Sequence, residues 1–307
     1  MSLLSLIAVF LLEQLQPLDY RRIVAEPLGA WADYIESRFN AGAQRHGVIA
    51  WCLAVLLPVV LVGVIYALLY ALNPLLGLVL NVGVLYLTMG FRQFSHHYTE
   101  IQAALAAGDL DKARQLLAEW QGRSTYKLNA EDIARLSIEG ALAASHRHVF
   151  AVLLWFVLLP GPCGAVLYRL ALIVRDRWQV TANSQNQHFP IFSRQVFGII
   201  DWLPLRLTAA AFAIVGDFED AAYCWRTQPA QWPDRDLGIV LAAGAGALGV
   251  QLGRPVADEV EVADRGELGI GDPADVDFMQ SAVGLVWRAT VLWVLLLFLL
   301  GLASLVG

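Results

Sequence analysis

Cysteine is scarce. Cys52, Cys163 and Cys224 are the three in 307 residues, too few and too scattered for a disulfide framework, and a thiol inside an apolar stretch behaves as a small hydrophobe. Charge is scarce as well. Asp, Glu, Lys and Arg make up 16% of the chain, against about 25% in an average soluble domain. The 27 acidic residues outnumber the 21 basic ones, for a formal net charge of -6. With no surplus of Lys and Arg and no basic stripe with interleaved aromatics, a nucleic-acid partner is excluded. No Walker A sequence, dinucleotide fingerprint, Gly-x-Ser-x-Gly or His-Glu-x-x-His occurs, which removes the common motif-defined enzymes. No Cys, His and carboxylate set stands at metal-ligand spacing, so no metal site is expected. Met1 to Leu12 is apolar without a basic lead or a small-residue cleavage site, and reads as a short retained membrane helix rather than a removable signal peptide.

Apolar residues are what the chain has in excess: 58% of the total, with a mean hydropathy of +0.56. They gather into uninterrupted runs, so the bilayer counts as part of the solvent and the fold class is all-α, a polytopic helical membrane protein. Val48 to Leu72 is 25 residues without a charge, enough to cross a hydrocarbon core of about 30 Å with some tilt. Asn73-Pro74 breaks that helix, and the uncharged Leu75 to Phe91 returns from it as the second arm of a tight hairpin. Val149 to Val174 is cut by Pro160-Gly161-Pro162 and reads either as one kinked span or as a re-entrant pair of half-helices. Gln195 to Gly216 is apolar except for Asp201 and Arg206, which flank Pro204, and Ala289 to Val306 is a C-terminal span. Lys and Arg number four in 13–47, none in the 73–74 turn, seven in 92–148, four in 169–194 and four in 217–281. The positive-inside rule then puts the first, third and fifth of these loops in the cytoplasm, and the fourth joins them if the Pro-Gly-Pro break is re-entrant.

Within this frame, 92–148 is expected to be a cytoplasmic helical insertion. Asp109 can cap a helix whose apolar positions share one face, and Asn129 with Asp132 approximates a capping box for a second. Residues 217–281 form a polar, Gly/Ala-rich segment. Its small-residue run, Leu241 to Gly249, is either a packed helix or a loop near a ligand, and Val256 to Asp277 reads as an exposed acidic loop. Gly122-Arg123-Ser124-Thr125 could hold a phosphate through the guanidinium fork and backbone amides, or serve as a hinge whose hydroxyls cap the next helix. His96, His97, His146 and His148 read as solvated interfacial histidines, since His at i and i+2 point to different helix faces. Asp201 and Arg206 are either a structural ion pair at a bend or part of a ligand site.

Read in order, several stretches resemble the CobD/CbiB family of membrane proteins, in the same superfamily as AmpE. Arg38 to Gly42, then Arg45 and Gly47 to Trp51, resembles the family's basic stretch before its first long span. Ala104-Leu105, Gly108-Asp109-Leu110, Ala113-Arg114 and Gly122 to Thr125 resemble its "AL..GDL..AR…GRDT" signature. Ile138-Glu139 stands at the start of "VETVAEN", and Gly164-Ala165 with Tyr168-Arg169 resembles "GA..YR". Pro204 to Leu207 is similar to "PARL", and Ala245 to Val250 with Leu252-Gly253 to "AGALGV.LG". The resemblance covers 1–307 as a single membrane domain and implies an adenosylcobinamide-phosphate synthase-like protein of the bacterial inner membrane. Such an enzyme is an amide-forming ligase, with a corrinoid and a nucleotide as partners besides the bilayer, and a homo-oligomer stays open. By the same resemblance Arg123, Thr125, Tyr168, Arg169 and Arg206 would bind substrate and Glu139 would serve catalysis; no cofactor is assigned. Several acids depart from the pattern: Ser124 replaces the Asp of "GRDT", Ala143-Ala144 replace the Glu-Asn of "VETVAEN", and Phe197-Gly198 occupy paired Asp positions before "PARL". The implied scaffold is thus degenerate in its catalytic acids. The alternative is an AmpE-like, non-enzymatic signalling protein of β-lactamase regulation, which Leu11 to Leu15 and Asp201 to Leu207 resemble.

Overall fold

The computed structural model describes residues 2–15, 20–40, 43–122, 124–180, 188–255 and 265–306. Among these, twelve helices carry nearly all of the regular structure. In chain order they are α1 (Ser2–Leu15), α2 (Glu26–Phe39), α3 (Gln44–Leu72), α4 (Pro74–Thr88), α5 (Phe91–Ala106), α6 (Leu110–Gln121), α7 (Ala130–Leu158), α8 (Cys163–Val180), α9 (Ile191–Val215), α10 (Phe218–Thr227), α11 (Arg235–Leu248) and α12 (Val276–Val306). Two short strands, β1 (Val250–Gln251) and β2 (Asp272–Pro273), pair in parallel. Gln44–Leu72, Ala130–Leu158, Ile191–Val215 and Val276–Leu300 are long and apolar enough to cross a membrane. On α3 the large apolar side chains stay outside the protein core, Leu57, Val60, Leu61, Leu68 and Leu72 all being more than half exposed. In water that surface would be costly, whereas hydrocarbon solvates it. The chain is a polytopic helical membrane protein.

The chain divides into two compact units, Met1–Gln93 with Ala151–Leu203, and Phe94–Phe150 with Pro204–Gly307. In the first, Asn73 makes the hairpin turn that its position suggests: its side chain accepts the Leu75 amide at 2.9 Å, and Pro74 opens α4, where the missing N–H is no loss. The Pro160 to Pro162 break is a turn between two packed helices, so a single kinked span is excluded. α8 lies against the last turns of α7 so closely that a Cβ on Gly164 would sit 1.8 Å from the Trp155 carbonyl oxygen. Pro204 inside α9 takes away the N–H that would bond to the Ile200 carbonyl, and Trp155 Nε1 donates to that carbonyl at 3.1 Å. An orphan made by the proline is thereby satisfied.

In the second unit, Asp109 caps α6 by accepting the Lys112 amide at 3.1 Å, and Asn129 and Asp132 complete a reciprocal capping box on α7. That box starts a helix that runs without interruption to Leu158. The apolar boundary at Val149 is therefore not a helix boundary, and the third span begins well before it. The small-residue run is a packed helix: Gly238 to Ala247 of α11 are buried throughout. The approach to α10 is close enough that a Cβ on Gly246 would meet the Asp220 carbonyl oxygen at 2.5 Å, which only glycine permits. Beyond α11 the chain is more ordered than an acidic loop would be. Leu252 and Leu268 exchange backbone bonds at 2.7 and 2.9 Å, and Leu268 is fully buried. Residues 256–264 of that expected loop lie outside the described residues.

Candidate functional site

Leu136, Glu139, Gly140, Ala143, Ala144, Arg147 and His148 recur at intervals of three and four along α7, and all seven line one cleft of about 410 Å³ in the second unit. The volume lies within the roughly 300–1,000 Å³ of small-molecule sites. A helix period explains the arrangement, since such residues share one face. The opposing walls are Trp120 and Gln121 at the end of α6, Trp232, Leu237 and Leu241, and Arg265. Gly140 matters here because a Cβ would come within 2.9 Å of the Trp120 ring, so its absence lets the indole lie on α7. Trp120 is held from behind by an edge-on contact with Tyr98, whose hydroxyl donates to the Met279 carbonyl at 2.8 Å. Burial pushes the Tyr98 phenol well above its ordinary value, so it acts as a permanent donor.

Glu139 is the carboxylate of the cleft and is buried. Its Oε1 accepts the Gly253 amide at 2.9 Å, and its Oε2 faces Arg265 Nη1 at 3.5 Å. The guanidinium of Arg265 also lies over the Trp232 ring, 5.2 Å from its centroid, and Arg147 faces Asp234 at 3.7 Å. A buried carboxylate with a backbone donor and a guanidinium beside it can accept a proton from, or pair with, a ligand amine. The two arginines can hold an anion. Among the described residues no group of three or more His, Cys, Asp and Glu side chains is placed to hold a metal ion.

Of the residues singled out in the sequence, Glu139 alone lines this cleft. Thr125 is buried in the same unit, and its hydroxyl donates to the Arg114 carbonyl at 2.7 Å, which fastens the turn after α6. Arg123 lies outside the described residues. Arg206 is half-buried on α9. Tyr168 and Arg169 belong to the first unit: Tyr168 Oη donates to Asp201 Oδ1 at 2.9 Å, and the buried Arg169 donates through Nε (3.0 Å) and Nη2 to the Thr88 carbonyl at the end of α4. Its guanidinium also covers the Tyr20 ring at 5.0 Å. Cations near helix C-termini are favourable places to satisfy such carbonyls.

The histidines correct the sequence reading. His146 is fully buried rather than solvated, with Nδ1 3.0 Å from Thr208 Oγ1, and Thr208 donates its one hydroxyl hydrogen to the Pro204 carbonyl at 2.9 Å. Nδ1 must then carry the donor hydrogen. His148 points the other way, into the cleft. A π-turn at His146–Phe150 lies where these two diverge, the kind of helix irregularity that gathers at functional sites. Arg147, His148, Trp232 and Arg265 are the cleft residues that sequence reasoning missed. The period of α7 could have flagged the first two.

The family model described as CobD/Cbib protein matches residues 22–286. A cobalamin biosynthesis protein CobD of Stutzerimonas stutzeri is 37% identical over 300 residues, 96% of each chain. One of Chromobacterium violaceum is 38% identical over 220 residues, 72% of this chain and 70% of its own. The cobalamin biosynthesis protein CbiB of Salmonella typhimurium is 26% identical over 244 residues, 76% of this chain and 74% of its own. No solved structure matches. A match over most of the length, with Glu139 of the shared motif set in a small-molecule cleft, leaves one conclusion: the chain belongs to the CobD/CbiB family.

Proposed function

We propose that the protein serves cobalamin biosynthesis in the bacterial inner membrane as an adenosylcobinamide-phosphate synthase-like protein, with the α7 cleft as its substrate site and with lowered synthase activity. The names of its relatives support the pathway. The observation that carries the reading is the floor of the cleft. Ala143 and Ala144, one turn beyond Glu139, lie where the family motif has Glu and Asn, so Glu139 works there without the neighbouring acid. At about 410 Å³ the cleft admits one arm of a corrinoid, not the macrocycle. Glu139 would meet the amine to be joined, and a nucleotide would supply the driving force.

Complementation of a strain lacking the synthase tests this. The native chain is expected to give little or no cobalamin-dependent growth, and the double variant A143E/A144N more. Full rescue by the native chain would overturn the lowered activity. A β-lactamase response altered by deletion, with no cobalamin phenotype, would favour the AmpE-like reading in its place.

A further inference from the structure

We infer that the cleft seats the anionic group of a small organic ligand, a phosphate monoester or a carboxylate, directly between Arg147 and Arg265, with Trp232 as the wall its carbon skeleton meets. The inference rests on the cleft being the substrate site and names the chemistry that this site takes. Two guanidinium groups and His148 line the cleft against one carboxylate, Glu139. Both arginine pairs are loose. Elsewhere in the same unit Arg135 meets Asp132 at 2.5 Å, and Arg114 and Arg254 meet Asp111 and Glu267 at 3.0 Å. In the cleft the corresponding separations are 3.7 Å for Arg147 to Asp234 and 3.5 Å for Arg265 to Glu139. Closed charge-assisted hydrogen bonds run at about 2.7–2.9 Å, so each cleft guanidinium is neutralised in part while its donor fork is not closed on a carboxylate.

The floor favours the same occupant. Side chains on a helix lean back over the preceding turn, which for Arg147 is Ala143 and Ala144. Methyl groups there neither pair with the guanidinium nor fill the space it faces. Arg265 is oriented by Trp232: the ring takes one face of the guanidinium, and its five donors lie in the plane at right angles to that contact. A fork held this way suits the oxygens of a phosphate or carboxylate, and the indole beside it suits the carbons that bear them. The anion is met by arginine rather than through a metal bridge, since the lining offers one carboxylate.

The test uses the purified full chain in detergent, with inorganic phosphate and acetate as separate probes. Thermal unfolding and tryptophan fluorescence are followed with and without EDTA. At least one of the two anions is expected to raise the unfolding temperature and to bind equally well in EDTA, and which of them does so identifies the oxyanion. R147Q and R265Q should each weaken binding by about tenfold or more, the scale of one hydrogen bond to a charged group, while their unfolding temperatures without anion stay near that of the native chain. If R265Q does not fold, R265K, which keeps the charge and loses the fork, must still bind more weakly. Binding that is absent, unchanged in the variants, or dependent on an added divalent metal overturns the inference. Growth complementation reads the other proposal separately: full rescue together with arginine-dependent anion binding would overturn the lowered activity and leave the anion seat standing.

Discussion

Gly253 is where the backbone and the site constrain each other most, and replacing it with Ala should be far more damaging than one methyl group suggests. Its φ is +81°, its amide donates to Glu139 Oε1 at 2.9 Å, and a Cβ built on it would lie 2.2 Å from the Gly266 carbonyl oxygen. The left-handed conformation alone costs an L-residue about 1–2 kcal/mol. The carbonyl cannot move aside cheaply, because Gly266 is tied through its amide to the Gln231 carbonyl at 2.9 Å and the next turn is clamped by the Leu252–Leu268 bonds. Relief must therefore come from residue 253, which loosens the amide's bond to a buried carboxylate, worth about 1.5–3 kcal/mol. Together these give about 3–5 kcal/mol, a range reached only by specific mechanisms such as these. Gly108 supplies the control: its φ is +75°, but a Cβ there would meet nothing within 4 Å. G108A should then cost only the conformational part, about 1–2 kcal/mol. Equilibrium unfolding of the two variants in the same detergent compares them, with tryptophan fluorescence as the probe. Equal losses would refute the claim that the Gly266 carbonyl and the Glu139 bond constrain this turn.

Thr125→Val should lower stability by about 1–2 kcal/mol, the value of the hydrogen bond to the Arg114 carbonyl, and leave phosphate affinity unchanged; weakened phosphate binding at native stability would make Thr125 a ligand contact. The Cys224 thiol is pushed up to about 11 by burial, with the Asp220 carboxylate adding to the shift. A raised folded-state value means that its contribution to stability is fully present below the ordinary value of 9.0 and is lost as pH rises through about 11. Unfolding temperatures measured from pH 8 upward should therefore fall more steeply for the native chain than for C224A, and identical slopes would show that the thiol does not titrate in this way.

The parts of the fold that were legible in sequence are those set by local chemistry. An uncharged run ended by Asn73-Pro74 could only be a span and a turn, and Asp109 and the Asn129/Asp132 pair announce helix starts because they satisfy amides that nothing else reaches. The start of the third span was not legible, since a change from polar to apolar at Val149 marks where the solvent changes and not where the helix begins. The small-residue run of α11 was ambiguous for a related reason: glycines allow either a loop or a very close helix contact, and only the Asp220 carbonyl against Gly246 decides between them.

The site was legible by one residue. Glu139 was found through a motif, but its partners Gly253 and Arg265 arrive from more than a hundred positions away, and no local period connects them to α7. Arg147 and His148 were hidden by a different confusion. Viewed as a tetrad with His146 and Ser145 they look like a polar collar at a membrane surface, whereas counted from Leu136 in threes and fours they fall on the face that carries Glu139. The alanines between them read as lost chemistry when set against the family motif alone. Set in the cleft, the same alanines leave two guanidinium groups facing open space around one carboxylate. The substitutions that remove acids from this site are therefore also the ones that make it electropositive, and an anion seated on arginine is the chemistry such a surface can still perform.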